Sequence, residues 1–257
     1  GVGQGNASVT LTATIRRGSG VTTRTFTVLV REQVPGGLLA HYGFNNNLAE
    51  STGLAAAGLV VGNRLDVAGG SIGFVPGVAG SAAQFNGASG IRLPNGLIGS
   101  RNSYTVSLWL KPDQLSEFTP TFFGARDGNA WISLLPKGHG FVGGATMLWS
   151  GTAWYDAGTG MNIPVGAWSH LAFSVHNGAV KVYINGMKRF TGTGFPNIFT
   201  NNSGVFALGV NWWDQPYQGA MDELRVYQQA LSDAEIAGLA LVPLSLAAKT
   251  LKTKESQ

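Results

Sequence analysis

The chain has 257 residues, of which only 12% are charged, 38 are glycine and none is cysteine. The lack of cysteine excludes disulfides and thiolate metal sites, and a net charge of +4 without an aromatic-interleaved Lys/Arg stripe argues against a nucleic-acid partner. No apolar run approaches the roughly 20 residues of a membrane span, and the chain does not begin with an export signal. Its start at Gly1 in mid-pattern suggests a piece cut from a longer precursor.

Two alternating segments come first in the chain. Residues 7–15 and 22–30 place Thr or other polar residues between Val, Leu, Ile and Phe at period two, and the turn RRGSGV separates them. This pattern predicts a β-hairpin. Because an isolated hairpin is only marginally stable in water, it must pack on something. It resembles the last two strands of a bacterial immunoglobulin-like domain, so we expect residues 1–33 to be the end of such a domain.

From Leu38 onward, short apolar segments follow one another closely, after the linker EQVPGG (residues 32–37). The many glycines and few charges suit short strands joined by tight loops. Asn177-Gly178 and Asn185-Gly186 are strong hairpin signals. Since strands and helices do not alternate, a parallel α/β sheet is excluded. About a dozen antiparallel strands therefore predict an all-β, two-sheet jelly-roll sandwich over residues 38–241.

One short helix is predicted near the C-terminus, from Ser232 to Leu241. Ser232 is its N-cap, and Glu235 at the third helical position completes a capping box. Residues 242–257 follow as a predicted disordered tail.

Two loops combine aromatic rings with polar side chains. In the first loop, Trp154, Tyr155 and Asp156 precede Ala-Gly-Thr-Gly. The second loop contains Asn211, Trp212, Trp213, Asp214 and Tyr217. The C–H face of a sugar stacks on a ring while its hydroxyls bond to amides and carboxylates, so these residues are the candidate ligand-binding set. The alternative is that single tryptophans are core residues that close the end of a sandwich.

The remaining aromatic residues and histidines give weaker signals. Trp109 and Trp168 are expected to be packing residues. Trp131 and Trp149 lie within strands and could face either the core or an exposed sheet surface. His139, in a glycine-rich loop, is the one histidine whose role stays open.

No catalytic residue is assigned from the sequence. Asp222 and Glu223 are adjacent carboxylates, but neighbouring strand residues point to opposite faces and so cannot act together on one bond. The E-x-D spacing that would bring two carboxylates to one face of a retaining glycosidase does not occur.

Four motifs resemble those of laminin-G-like, concanavalin A-like jelly rolls, and they occur in the right order. They are LLAHYGFNNNLAESTG, YTVSLWLKP, WSHLAFSVHNGAVKVYINGM and GAMDELRVYQQALSDAEI. The segments WYDAGTG, IPVGAW and NWWD are similar to modules of bacterial glycoside hydrolases that act on plant cell-wall arabinan and xylan. The resemblance implies a non-catalytic carbohydrate-binding module of a secreted or cell-surface bacterial enzyme, with a catalytic domain in the same precursor. It favours arabinan or arabinoxylan as ligand and implies that the two aromatic loops converge at one rim.

The resemblance also implies a structural calcium ion. In laminin-G-like domains an aspartate at the place of Asp222 often helps to hold calcium with oxygens from the turn after the opening strand. Asn45, Asn46 and Glu50 occupy that turn here, and hard oxygen ligands suit calcium. Two other functions stay open, namely a structural spacer that braces a catalytic domain and a jelly-roll glycoside hydrolase or polysaccharide lyase.

Overall fold

The computed structural model describes residues 6–17, 20–31 and 36–241, which form two separate compact units. The first unit is a hairpin of two antiparallel strands, β1 (Asn6–Arg17) and β2 (Gly20–Arg31), paired along their whole length. Its assignment to the end of an immunoglobulin-like domain stays a prediction. The expected disordered tail, residues 242–257, lies outside the described residues.

The second unit is a sandwich of two antiparallel sheets. Its strands are β3 (Leu38–Tyr42), β4 (Leu59–Val61), β5 (Gly73–Pro76), β6 (Ser81–Asn86), β7 (Gly90–Leu93), β8 (Ser103–Pro112), β9 (Phe122–Asp127), β10 (Ala130–Leu135), β11 (Met147–Ser150), β12 (Tyr155–Gly158), β13 (Ser169–His176), β14 (Ala179–Ile184), β15 (Met187–Gly192), β16 (Val205–Leu208) and β17 (Gln218–Tyr227). The seven-stranded sheet has the order β12-β11-β10-β9-β16-β7-β4. The eight-stranded sheet has the order β15-β14-β13-β8-β17-β6-β5, with β3 beside β17. This architecture confirms the predicted all-β, two-sheet jelly roll.

Alternating side chains of the two sheets fill the space between them. Val106, Leu108 and Phe173 from the eight-stranded sheet meet Phe122 and Ile132 from the seven-stranded sheet in one buried cluster. All five are inaccessible to solvent. Because successive strand residues point to opposite faces, each strand that supplies this core also presents a second set of side chains to an outer face.

The two Asn-Gly pairs form the predicted hairpin turns. Asn177 and Gly178 join β13 to β14 with φ values of 47° and 82°, and Asn185 and Gly186 join β14 to β15 with 51° and 74°. Two successive positive φ values give the tight turn whose twist matches the strands on either side. These two turns fix the register of three neighbouring strands.

The one α-helix among the described residues, α1 (Asp233–Leu239), packs on the outer face of the eight-stranded sheet through Ile236. The predicted capping box is present. The Ser232 side chain accepts a hydrogen bond from the Glu235 N–H at 3.3 Å, and the Ser232 N–H donates to the Glu235 carboxylate at 2.8 Å. No helix within the described residues is long and apolar enough to cross a membrane.

Candidate functional site

The outer face of the seven-stranded sheet carries a second apolar cluster, separate from the core between the sheets. On β10, Ile132 points into the core and Trp131 points to the outer face. On β11, Leu148 points into the core and Trp149 points to the outer face. An antiparallel sheet commonly turns a polar face to water. Large rings on the outer face therefore mark it as the candidate functional surface.

Strand register places the side chains of this face in a row across the sheet. Phe123, Ser133, Trp149 and Asp156 are cross-strand partners on β9, β10, β11 and β12. Two loops beyond the strand ends add further rings above this row. We call the resulting group the aromatic platform, and its members are Phe123, Trp131, Trp149, Trp154, Trp212 and Trp213.

Ring contacts connect the two loops through the sheet. Trp131 and Trp149 lie edge to face with ring centroids 4.7 Å apart. The ring of Trp154 contacts Trp149 at 5.1 Å, and that of Trp213 contacts Trp131 at 5.6 Å. The two loops predicted from the sequence thus meet on one face, with Trp131 and Trp149 between them.

The platform combines a buried base with two exposed rings. Trp131 and Trp149 are only 8% and 6% exposed, whereas Trp154 and Trp213 are 62% and 46% exposed. Exposed indoles of this size are uncommon unless they contact something. The arrangement offers two flat apolar surfaces whose supporting rings are held in place by packing.

The side chain of Asn211 fixes the loop that carries Trp213. Its Oδ1 accepts hydrogen bonds from the N–H groups of Trp213 and Asp214 at 2.8 and 2.7 Å, and its Nδ2 donates to the Asp214 carboxylate at 2.6 Å. Trp212 is anchored by a 2.6 Å hydrogen bond from its Nε1 to Asp66. Asn211 is 1% exposed. The buried side chain of Asn211 therefore holds this loop in its conformation.

The Trp154 loop has an unusual backbone. Ala153 and Trp154 both adopt the left-handed conformation, with φ of 55° and 50°, which side-chain-bearing residues rarely do in succession. Gly151 precedes them, and the ring of Trp131 occupies the space that a Cβ at Gly151 would need. The loop is thus fitted closely around Trp131 and projects Trp154 above it.

Polar groups lie beside the exposed rings. His139 Nε2 and Asp156 Oδ1 are 3.1 Å apart, and the His139 ring packs against Trp149. At the other loop, partial burial raises the pKa of Asp214, while its hydrogen bond from Asn211 acts in the opposite direction. His139, left open by the sequence, thus belongs to this site.

Two sequence-predicted ligand residues do not reach the platform. Tyr155 points away from Asp156, packs against Phe195 and donates its hydroxyl to the Thr193 carbonyl at 3.0 Å, because neighbouring strand residues face opposite sides. Tyr217 is 1% exposed and packs on Phe85 in the core. The structure thus places both rings away from the platform, and their contact with a ligand stays a prediction.

Trp131, Trp149 and Phe123 were not assigned to the site from the sequence. A usable signal existed, because AWISLL and MLWS are apolar at both odd and even positions. Such strands must bury both faces. Sequence periodicity shows that two faces are apolar, but it does not tell which face meets the other sheet.

Asp222 is completely buried near a turn that also contacts Asn45. The backbone N–H groups of Ala79 and Glu223 donate to the Asp222 carboxylate at 3.1 and 2.8 Å. Desolvation nevertheless raises the pKa of Asp222 to about 7. The side-chain oxygen of Asn45 accepts from Ser81 N–H at 2.9 Å, at the end of the same turn.

The oxygen atoms of Asp222 and Asn45 supply part of the ligand set that a hard cation needs. A buried carboxylate whose charge is costly would be stabilised by a cation, and carboxylate and amide oxygens are calcium ligands. Asn46, the third predicted ligand, is exposed in the neighbouring turn. Within the described chain no group of three or more His, Cys, Asp or Glu side chains is placed to hold a metal. Amide and backbone oxygens would have to complete the coordination.

The regular alternation assumed for Asp222 and Glu223 does not apply. The register of β17 shifts between Asp222 and Arg225, and Glu223 has φ of 53°, which is the signature of a bulge. Glu223 pairs with Arg225 and with His41, whose Nε2 lies 3.0 Å from its carboxylate. Each of the two carboxylates therefore has its own set of protein partners.

Comparison with known proteins places the chain among lectin-like folds. The profile of the concanavalin A-like lectin/glucanases superfamily matches residues 85–237. No curated protein sequence matches significantly. Among solved structures, domain 4 of AbnA, a GH43 extracellular arabinanase from Geobacillus stearothermophilus in complex with arabinotriose, is 56% identical. That match covers 80% of this chain and 98% of the domain, with a TM-score of 0.77.

Two more distant structures share the fold. The binding domain of Paraclostridial Mosquitocidal Protein 1 is 16% identical with a TM-score of 0.58, and the match covers 81% of this chain and 52% of that one. Trypanosoma rangeli sialidase is 15% identical with a TM-score of 0.55, and the match covers 81% of this chain and 33% of the sialidase. Similarity at this level concerns architecture and carries no ligand or activity with it.

Proposed function

Because the chain belongs to the concanavalin A-like lectin/glucanases superfamily, we propose that residues 36–241 form a carbohydrate-binding accessory module. Its favoured ligand is arabinan or arabinoxylan. Its parent protein is a secreted or cell-surface bacterial enzyme, and the catalytic domain of that enzyme is its partner. The 56% identity to a domain of an extracellular arabinanase solved with arabinotriose supports this proposal.

The observation that carries the proposal is the aromatic platform. Trp154 and Trp213 expose flat rings on a packed base of Trp131 and Trp149. A sugar ring has an apolar C–H face that stacks on an indole, while its hydroxyls need directional polar partners. Asp156 supplies such a group beside the exposed rings. In a surface of this kind the backbone is already in place before binding, so only side chains have to adjust.

The proposal assigns the module a non-catalytic role. The carboxylates nearest the platform are already bonded to side chains of the module, Asp156 to His139, Asp214 to Asn211 and Asp66 to Trp212. Such bonds suit groups that hold loops in place. The competing proposals are a spacer that binds no sugar and an enzyme that cleaves one.

Affinity electrophoresis against arabinan, arabinoxylan, xylan, galactan and alginate separates these three functions. The carbohydrate-binding proposal expects arabinan or arabinoxylan to retard the protein in the native gel more than the other glycans do. If none of the glycans retards the protein, the spacer function replaces the proposed one. New reducing ends that form on incubation, and that a point mutation abolishes, would instead establish an enzyme.

The proposal includes a structural calcium ion held by Asp222 with oxygens of Asn45 and Asn46. The buried, desolvated carboxylate of Asp222 supports it, since a cation would offset a charge that burial makes costly. When bound, the ion would tie the turn after β3 to β17 and stabilise the sandwich. The chemistry of sugar binding does not depend on it.

Chelator treatment is expected to lower the melting temperature of the module if calcium is bound. A ligand held only by the folded state at about 100 times its Kd contributes about 2.7 kcal/mol, which corresponds to a shift of several degrees. Asp222→Asn should abolish the chelator response. Asp233→Asn, which changes a surface carboxylate on α1, should keep it. Identical melting of the parent with and without chelator would contradict a calcium site.

A further inference from the structure

Buried polar atoms without hydrogen-bond partners are found beneath the aromatic platform. Among the described residues these include Thr119 Oγ1, Ser133 Oγ, His139 Nδ1 and Trp149 Nε1. Two of these residues, His139 and Trp149, are in ring contact with each other and with Phe118, which precedes Thr119 in the chain. Buried polar side chains in proteins are nearly always paired. Their presence here points to a partner supplied by a ligand.

Among these four residues, Ser133 is the one with large side chains on all sides in the sheet. Its cross-strand partners are Phe123 and Trp149, and Trp131 and Leu135 precede and follow it on the same face of β10. Ser133 is thus a short polar side chain among four large ones. Ser133 is 1% exposed. An apolar residue there would avoid the cost of a buried, unpaired hydroxyl.

Trp149 provides a second buried, unpaired group next to Ser133. It stands directly across from Ser133 on the adjacent strand, and the edge of its indole carries the unpaired Nε1. The pair combines an N–H that can only donate with a hydroxyl that can also accept. A single sugar hydroxyl satisfies both atoms, because it accepts from the indole and donates to the serine.

We propose that Ser133 and Trp149 together bind one unsubstituted hydroxyl of a pentose residue that stacks on the exposed platform rings. This inference rests on the proposed carbohydrate-binding function. Both atoms are covered in the free module, so the exposed ring of Trp154, which contacts Trp149, shifts when the sugar enters, as interface side chains commonly do.

The enclosed position of Ser133 determines which polysaccharide regions fit. A substituted oxygen has no hydrogen to donate, and its substituent finds no room among Phe123, Trp131 and Leu135. The module therefore prefers unbranched stretches of a pentofuranose chain to stretches that carry side chains. Linear arabinan is a better ligand than branched arabinan.

Ser133→Ala tests the assignment through two effects of opposite sign. Loss of one hydrogen bond lowers the affinity for linear arabinan about tenfold. Removal of a hydroxyl that is unpaired in the free module raises the melting temperature by about 2–4 °C. Ser169→Ala is the matched control, because Ser169 is also buried and unpaired but lies on β13 of the other sheet. It raises the melting temperature and leaves the affinity unchanged.

Trp149→Phe gives a second, independent readout. It keeps an aromatic ring and removes Nε1. Like Ser133→Ala, it is expected to weaken the binding of linear arabinan, and so to reduce the preference for linear over branched arabinan. If Ser133→Ala and Trp149→Phe bind linear arabinan as tightly as the parent, the inference is overturned while the carbohydrate-binding function stands. If the parent binds no glycan, the proposed function fails and the inference fails with it.

Discussion

Trp154→Ala and Trp213→Ala are each expected to reduce the affinity for arabinan by about 30-fold. Aromatic residues at the centre of a binding surface commonly contribute about 2 kcal/mol each, which corresponds to that factor. Both rings are largely exposed in the free module, at 62% and 46%. Their removal should therefore change the free energy of unfolding by less than about 0.5 kcal/mol. Isothermal titration with linear arabinan measures the affinity, and urea unfolding measures the stability.

The matched control for these two variants is Met187→Ala. Met187 is 60% exposed on β15, at the edge of the other sheet, so its removal tests the general loss of an exposed apolar side chain. It should bind like the parent. Parent-like affinity in both tryptophan variants would show that the sugar binds elsewhere. The double variant adds information, because two rings that contact the same sugar residue give non-additive losses.

The second large effect is expected in acid. His170, on β13, is completely buried, with its Nε2 2.7 Å from Ser107 Oγ and its ring beside Trp109. Burial lowers the pKa of His170 from 6.5 to about 3, and the positive charge of Arg225 adds to this effect. The folded state therefore binds this proton less readily than the unfolded state does. The stability that neutral His170 provides is complete above pH 6.5 and is lost as the pH falls toward 3.

His170→Gln isolates this contribution. At about 1.4 kcal/mol per pH unit, the parent loses about 3 kcal/mol between pH 6.5 and pH 4 through His170. The variant, which keeps a polar group near Ser107, does not lose this stability. Urea unfolding at several pH values should show the stability difference between parent and variant shrinking by that amount. Other titrating groups, including Asp222, affect both proteins equally.

A matched histidine control separates the effect of burial from the effect of replacing histidine by glutamine. His176→Gln makes the same substitution at an exposed position at the end of the same strand, so it reports what the change of residue type does outside the core. If the stability difference between the parent and His170→Gln is constant from pH 7.5 to pH 4, then His170 is protonated without cost and its depressed pKa is contradicted.

The fold was predictable because its signals are local. Period-two alternation identifies strands, Asn-Gly pairs at 177–178 and 185–186 require positive φ, and Ser232 with Glu235 marks the start of the helix. Each signal extends over a few residues and does not depend on which strand becomes a neighbour. The sequence also identified Trp154 and Trp213 as members of polar aromatic loops.

The site was predictable only in part because it depends on register. Tyr155 and Asp156 are adjacent in sequence, yet one faces the core and the other the outer surface. The assignment of Trp131 and Trp149 requires knowledge of which face of β10 and β11 meets the second sheet. At Asp222 a bulge interrupts the alternation, and an insertion of this kind leaves no pattern in the sequence.

The close packing of the platform also has a spectroscopic consequence. Five of the seven tryptophans of the chain belong to it, and neighbouring indoles lie with centroids 4.7–5.6 Å apart. At such separations the electronic transitions of the rings couple, so the near-ultraviolet circular dichroism of the protein reports mainly on this one surface. A sugar that displaces Trp154 from Trp149 changes that coupling. The proposed sugar binding can therefore be tested through the optical signal of the unlabelled protein.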